Sequence, residues 1–176
     1  LPDYRPMRLY EQDVTRSTTK MALIQAAEST RTSRVVAPTI RFRADTDNAL
    51  RSEATDAQKP AAILEHRVAE IVRILEAGEK DRDKVKEPRW QAAYDLAIGR
   101  ALALHARALG YNVMLAQMKV APKTFEKEGN NTWTMKASGE VQTGPIVRKI
   151  VTRATEYLSR VVDHHQGTPW AYLAEL

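Results

Sequence analysis

The chain has 176 residues, of which 43% are hydrophobic and 28% charged, enough for one globular domain with a sizeable core. The absence of cysteine excludes disulfides, thiolate catalysis and cysteine-based zinc sites, and no apolar run approaches the ~20 residues that a membrane-spanning helix needs. The net charge of +5 and a pI near 9.5 leave room for a nucleic acid as partner.

Taken in order, residues 1–6 (LPDYRP) read as an extended linker. Residues 7–29 carry Tyr10, Val14, Met21 and Ile24 at helix-compatible spacing, with Ser17-Thr18-Thr19 weakening the middle. Residues 30–44 change character. Val35, Val36, Ile40 and Phe42 around Pro38 predict an extended connector, in which Arg41 and Arg43 point away from the apolar side.

The centre of the sequence is a pair of heptad stripes. Leu50, Ala54, Ala57, Ala61, Leu64, Val68, Ile71 and Leu75 alternate at spacings of four and three, as do Trp90, Tyr94, Ala97, Ala101, Leu104, Ala108, Tyr111, Leu115 and Met118. That spacing puts each set on one helical stripe and predicts coiled-coil-like packing. The expectation is an antiparallel hairpin of helices over 47–78 and 88–119, each roughly 45–50 Å long at about 1.5 Å per residue. Asp45 or Asp47 is the expected cap of the first arm, Gly78 its end, and Pro88 the first turn of the second. Pro60 is expected to kink the first arm, because the apolar register continues through it. The linker 79–87 alternates in sign and reads as a solvated tip. Residues 46–78 carry four basic and six acidic side chains, whereas 88–119 carry four basic and one acidic, so opposite net charges favour pairing of the arms.

Beyond the hairpin, Phe125, Trp133 and Met135 flank Gly129-Asn130-Asn131, predicting a small β-hairpin within 121–145. Val147, Ile150, Ala154, Tyr157 and Val161 place a helix over 146–164. Thr168-Pro169 then opens a last helix over 168–176, with Thr168 as its N-cap. The fold class is therefore all-α: a single-domain antiparallel helical bundle built on a long helical hairpin, with a small β-hairpin insertion. Beginning at Leu1 and stopping at Leu176 inside a helical pattern, it reads as a fragment of a larger chain.

Reactive constellations are sparse. Adjacent His164-His165 point about 100° apart on a helix and do not chelate as an i, i+4 pair would; His66 and His105 have no Glu-x-x-His partner. Asp45-Thr46-Asp47-Asn48 opens like a calcium loop but has Leu50 at the sixth position and Asp56 at the twelfth. No phosphate-cradling glycine loop, GxSxG or paired carboxylates on an apolar face are present. The reading is no enzyme, no cofactor and no metal. Arg31, Arg34, Arg41 and Arg43 with Phe42 fall short of the dense basic stripe of a nucleic-acid surface. The candidate partner contacts are Trp133, Arg41 and Arg43.

Two resemblances bear on role. Ala154–Val162 followed by His165-Gln166-Gly167-Thr168-Pro169-Trp170-Ala171 looks like one helix–turn–helix unit of tetratricopeptide-like proteins, but no 34-residue period recurs. Leu1-Pro2-Asp3-Tyr4-Arg5-Pro6, Thr46–Arg51, Glu87-Pro88-Arg89-Trp90 with Tyr94–Arg100, Gly110-Tyr111-Asn112, Asn131-Thr132-Trp133 and Gly167–Ala171 resemble the helical region that follows the von Willebrand factor A (vWA) domain in a group of large bacterial proteins. That likeness implies an accessory module for assembly or partner binding in a larger chain; the vWA domain's metal-binding Asp-x-Ser-x-Ser is not in this sequence. The leading expectation is a non-catalytic helical scaffold or protein-interaction module, mostly monomeric as a fragment. A nucleic-acid-binding domain is the alternative, and a small-ligand or enzymatic domain comes third.

Overall fold

A computed structural model describes residues 6–31, 36–141 and 143–176. Over these residues the order is α1 (Met7–Thr15), α2 (Thr18–Arg31), β1 (Arg41–Arg43), α3 (Asp47–Ala77), a 3-10 turn (Glu79–Lys84), α4 (Pro88–Val120), β2 (Thr132–Thr134), α5 (Pro145–His164) and α6 (Pro169–Glu175). The molecule is an all-α bundle on a long antiparallel hairpin, α3 against α4, with a small antiparallel two-stranded sheet.

The heptad stripe of α3 buries Leu50, Ala54, Ala57, Ala61, Val68 and Leu75, as its spacing dictates. Pro60 is exposed and lies within an unbroken α3, where its missing N–H and ring are tolerated on the solvent side. The helix is capped by Thr46, not by Asp45 or Asp47: the Thr46 hydroxyl accepts the Ala49 N–H at 3.1 Å, while Asp45 pairs with Arg43. Helix α4 packs on two sides. Tyr94 and Leu115 face the hairpin seam, and Gly99 lets α5 approach so closely that an added Cβ would lie 2.8 Å from Leu158 Cγ. The expected charge pairing between the arms takes another form. Asn112 donates to Glu65 at 2.6 Å across the seam, whereas Glu76 pairs with Arg153 of α5 and Asp95 with Arg82 and Arg160.

Three expectations change in detail. Residues 7–29 form two helices, because the chain breaks at Arg16-Ser17, where Ser17 Oγ accepts the Lys20 N–H and begins α2. The sheet joins β1 to β2 with Phe42 opposite Trp133, instead of closing locally around Gly129-Asn130-Asn131. Long-range pairing wins because it alone buries Phe42, which packs with Leu50, Ala54, Ala57 and Leu115 at the open end of the hairpin. Phe125 still meets Trp133, by ring stacking at 4.6 Å. Finally, the linker is not simply solvated: its 3-10 turn folds back, burying Val85 and holding Arg82 against α4.

The result is a rod with two cores. Near the tip, Ala26, Val72, Leu75, Tyr94, Ile98, Leu102, Ala154 and Tyr157 cluster from four helices, while the Phe42 cluster closes the other end. Seam residues between and beyond the cores lack full cover. Trp90 lies past the end of α3 and is only half-buried, against Tyr10 and Lys20; Leu104 is 36% exposed.

Candidate functional site

A concavity of the described residues opens where α2 stops. Helix α2 runs along α3 from the tip, anchored by Thr19 Oγ1 donating to the Gly78 carbonyl at 2.7 Å. It ends at Arg31, before the middle of the hairpin is covered. There a groove of about 420 Å³ remains, floored by Val68, Ile71 and Leu75 of α3 and by Ala97 and Ala101 of α4. Small side chains on α4 make the depression, since an alanine leaves space that a leucine would fill. Leu23 and Ala27 of α2 form one wall; Leu104 of α4, with Leu173 and Leu176 at the end of the chain, forms the other. Leu104, Leu173 and Leu176 are 36%, 38% and 78% exposed, so the apolar character continues onto the surface.

Among the described residues that line the groove, two are charged, Arg100 and Arg107. They flank Leu104 on α4 at spacings of four and three, which sets the guanidiniums on one helical stripe about 10 Å apart along the axis. Both are exposed, and neither makes an ion pair or hydrogen bond to another described residue. No aspartate or glutamate is among the described residues that line the groove. Most other cations near the bundle core are engaged: Lys20 lies between Asp13 at 2.6 Å and Glu87 at 2.8 Å, Arg153 meets Glu76 at 2.7 Å, and Arg82 grips Asp95.

The remaining polar clusters are structural in their connections. Asp95 is fully buried and receives Arg82 Nε at 3.1 Å, Arg82 Nη2 and, at 3.5 Å, Arg160 Nη1. Tyr94 donates to the Leu75 carbonyl at 2.6 Å, and Tyr157 donates to Glu79; burial raises both phenols well above their ordinary pKa. His165 is buried at the end of α5, and burial lowers its pKa below 6.5. Among the described residues no three metal-ligating side chains converge.

The residues singled out from sequence lie elsewhere. Trp133, Arg41 and Arg43 come together on the small sheet, where Trp133 is half-buried and Arg41 exposed. Arg43 is taken by Asp45 at 2.6 Å, which leaves Arg41 as the free cation of the three. Arg31 is exposed at the end of α2, and Arg34 and Val35 fall outside the described residues. His66 sits 3.5 Å from Glu70 on the exposed face of α3. Sequence reasoning passed over Arg100, Leu104 and Arg107 as a unit. The available signal was an Arg-Leu-Arg stripe at 100, 104 and 107, in which one heptad position is hydrophobic and its neighbours on the same face are both cationic.

No protein-family model matches this sequence, and no curated protein or solved structure is significantly similar to it.

Proposed function

We propose that this domain is a non-catalytic protein-interaction module whose docking surface is the groove between α2, α3, α4 and α6. One observation carries the reading: in a bundle closed at both ends, the concavity left at its waist is apolar and partly exposed. Among its described lining residues it has two cations without described partners at its edge and no convergent acid, base or nucleophile. Catalysis asks for polar groups aimed at one point, whereas recognition of a protein asks for an apolar centre with a charged rim. A nucleic-acid surface would present clustered cations among exposed aromatics, and the Trp133 sheet offers Arg41 alone beside the Arg43–Asp45 pair. Service as an accessory module beside a vWA domain of a larger chain rests on the sequence likeness.

The test uses the lack of native cysteine. A benzophenone attached at Leu104→Cys should give a discrete protein adduct in a cell extract of the source organism, and one attached at Ala62→Cys, on the solvent face of α3, should not. Equal labelling at both positions would refute the docking assignment. So would salt-sensitive binding of single or double strands that Arg41→Glu abolishes while no protein adduct forms.

A further inference from the structure

We infer that the groove's occupant is an acidic amphipathic helix, with an apolar stripe seated over Ala97 and Ala101 and carboxylates about two turns apart meeting Arg100 and Arg107. The inference rests on the docking assignment above and adds the chemistry of the partner.

Shape argues for a helix. The floor is built from two antiparallel helices whose lining residues, the buried Val68 and Leu75 with half-buried Ile71 on one and half-buried Ala97 and Ala101 with exposed Leu104 on the other, repeat at three and four residues. Such rows accept a third helix packed ridge into groove. The span from Ala97 to Arg107, ten rises of about 1.5 Å, gives the trough a length of about 15 Å, which is roughly three turns of an incoming helix. The described strands lie at the other end of the rod, so strand addition is not available here.

Charge argues for acidity. Among the described residues Arg100 and Arg107 are the charged side chains lining the groove, neither has a described partner, and the whole chain carries +5. A basic or neutral helix would leave two guanidiniums at the rim without partners; a helix with carboxylates seven residues apart supplies one to each. The net positive charge also weighs against a second copy of this chain as the occupant. A fatty acid could fill the apolar floor, but its single carboxylate matches one arginine and leaves the other.

The experiment uses fluorescein-labelled synthetic helices of 14 residues with a leucine stripe and, at the two flanking positions seven apart, Glu, Gln or Lys. Binding to the unmodified chain is read by anisotropy. The Glu helix should bind roughly tenfold more tightly than the Lys helix at low salt, and the ratio should shrink in 0.5 M salt. The double variant Arg100→Glu/Arg107→Glu should invert the preference, while its circular dichroism and thermal midpoint stay near those of the parent because both side chains are exposed. If all three helices bind alike, the acidic partner is wrong and the docking groove stands. If no helix binds, or oleate alone displaces a bound reporter, both readings fall. Dimerisation that Leu104→Arg abolishes would replace the acidic helix with a second copy.

Discussion

Gly78 offers a test in which two physical effects predict opposite signs. Its φ of −86° and ψ of −10° are ordinary right-handed values, so the backbone does not require glycine for its conformation. On that ground alone Gly78→Ala should stabilise the fold by about 0.4–1 kcal/mol, by restricting the unfolded chain. The packing says otherwise. A Cβ at Gly78 would lie 2.8 Å from Ala22 Cβ, 2.9 Å from Thr19 Cα and 3.1 Å from the Thr18 carbonyl oxygen. Carbon atoms in contact settle about 3.5–4.0 Å apart, so α2 must move outward by several tenths of an ångström or more. Two of the three obstacles are backbone atoms and cannot rotate away. Overpacking of this kind costs about 1–3 kcal/mol, and displacement of α2 also weakens the Thr19–Gly78 hydrogen bond, worth about 1 kcal/mol. The net expectation is a loss of roughly 2 kcal/mol, or about 4–8 °C in thermal midpoint for a domain of this size. Urea unfolding followed at 222 nm measures it, with Gly139→Ala as the control, since nothing lies within 4 Å of an added Cβ there. If Gly78→Ala is as stable as the parent or more so, α2 does not pack on the hairpin tip as described, and the wall of the groove goes with it.

Other expectations follow from the buried charges and from the groove. Asp95→Ala removes the partner of the largely buried Arg82 and should cost about 3 kcal/mol, whereas Asp95→Leu with Arg82→Leu should recover most of it; a mild single variant in urea unfolding would show that Arg82 escapes to solvent. His165 has its pKa lowered chiefly by burial, with Arg82 and His164 adding to the effect and Asp95 opposing it. The unfolded chain therefore binds the extra proton first, and the stability from the neutral native imidazole is lost as pH falls below about 6.5. Unfolding free energies between pH 5.5 and 7.5 should rise with pH, and His165→Gln should flatten the slope; an unchanged slope would place the titration elsewhere. Ala101→Leu should fill part of the groove, raise stability by about 1 kcal/mol and abolish binding of the acidic helix; retained binding would mean that the helix docks somewhere else.

The two long helices were legible because each repeats one apolar stripe for some thirty residues, a signal that survives local exceptions such as Pro60. The sheet was legible only in part. Residues 132–135 announced a strand through Trp133 and Met135, but its partner lies about 90 residues earlier, and no local spacing encodes that distance. What decides the pairing is the demand of Phe42 for cover, a tertiary effect. The cap at Thr46 was obscured by two neighbouring aspartates with equal capping propensity, one of which is drawn away by Arg43. The groove was hidden for a different reason. A heptad stripe says which side chains face inward, but not where the neighbouring helix runs out, so Leu104 reads as core and stands 36% exposed.

The alanines of α4 connect these observations. On one side, Gly99 serves close packing, since Leu158 and Tyr157 of α5 occupy the space a side chain would need. On the other side, Ala97 and Ala101 pack only in part against the tip core, and the space above them lies open between α2 and Leu104. A sequence shaped for stability alone would fill that space, because each buried methylene is worth about 0.8 kcal/mol. It would also place a carboxylate near Arg100 or Arg107, as it does for Lys20, Arg82 and Arg153 in the same bundle. Small residues and two arginines without described partners meet at this groove, and that combination is what the docking proposal rests on.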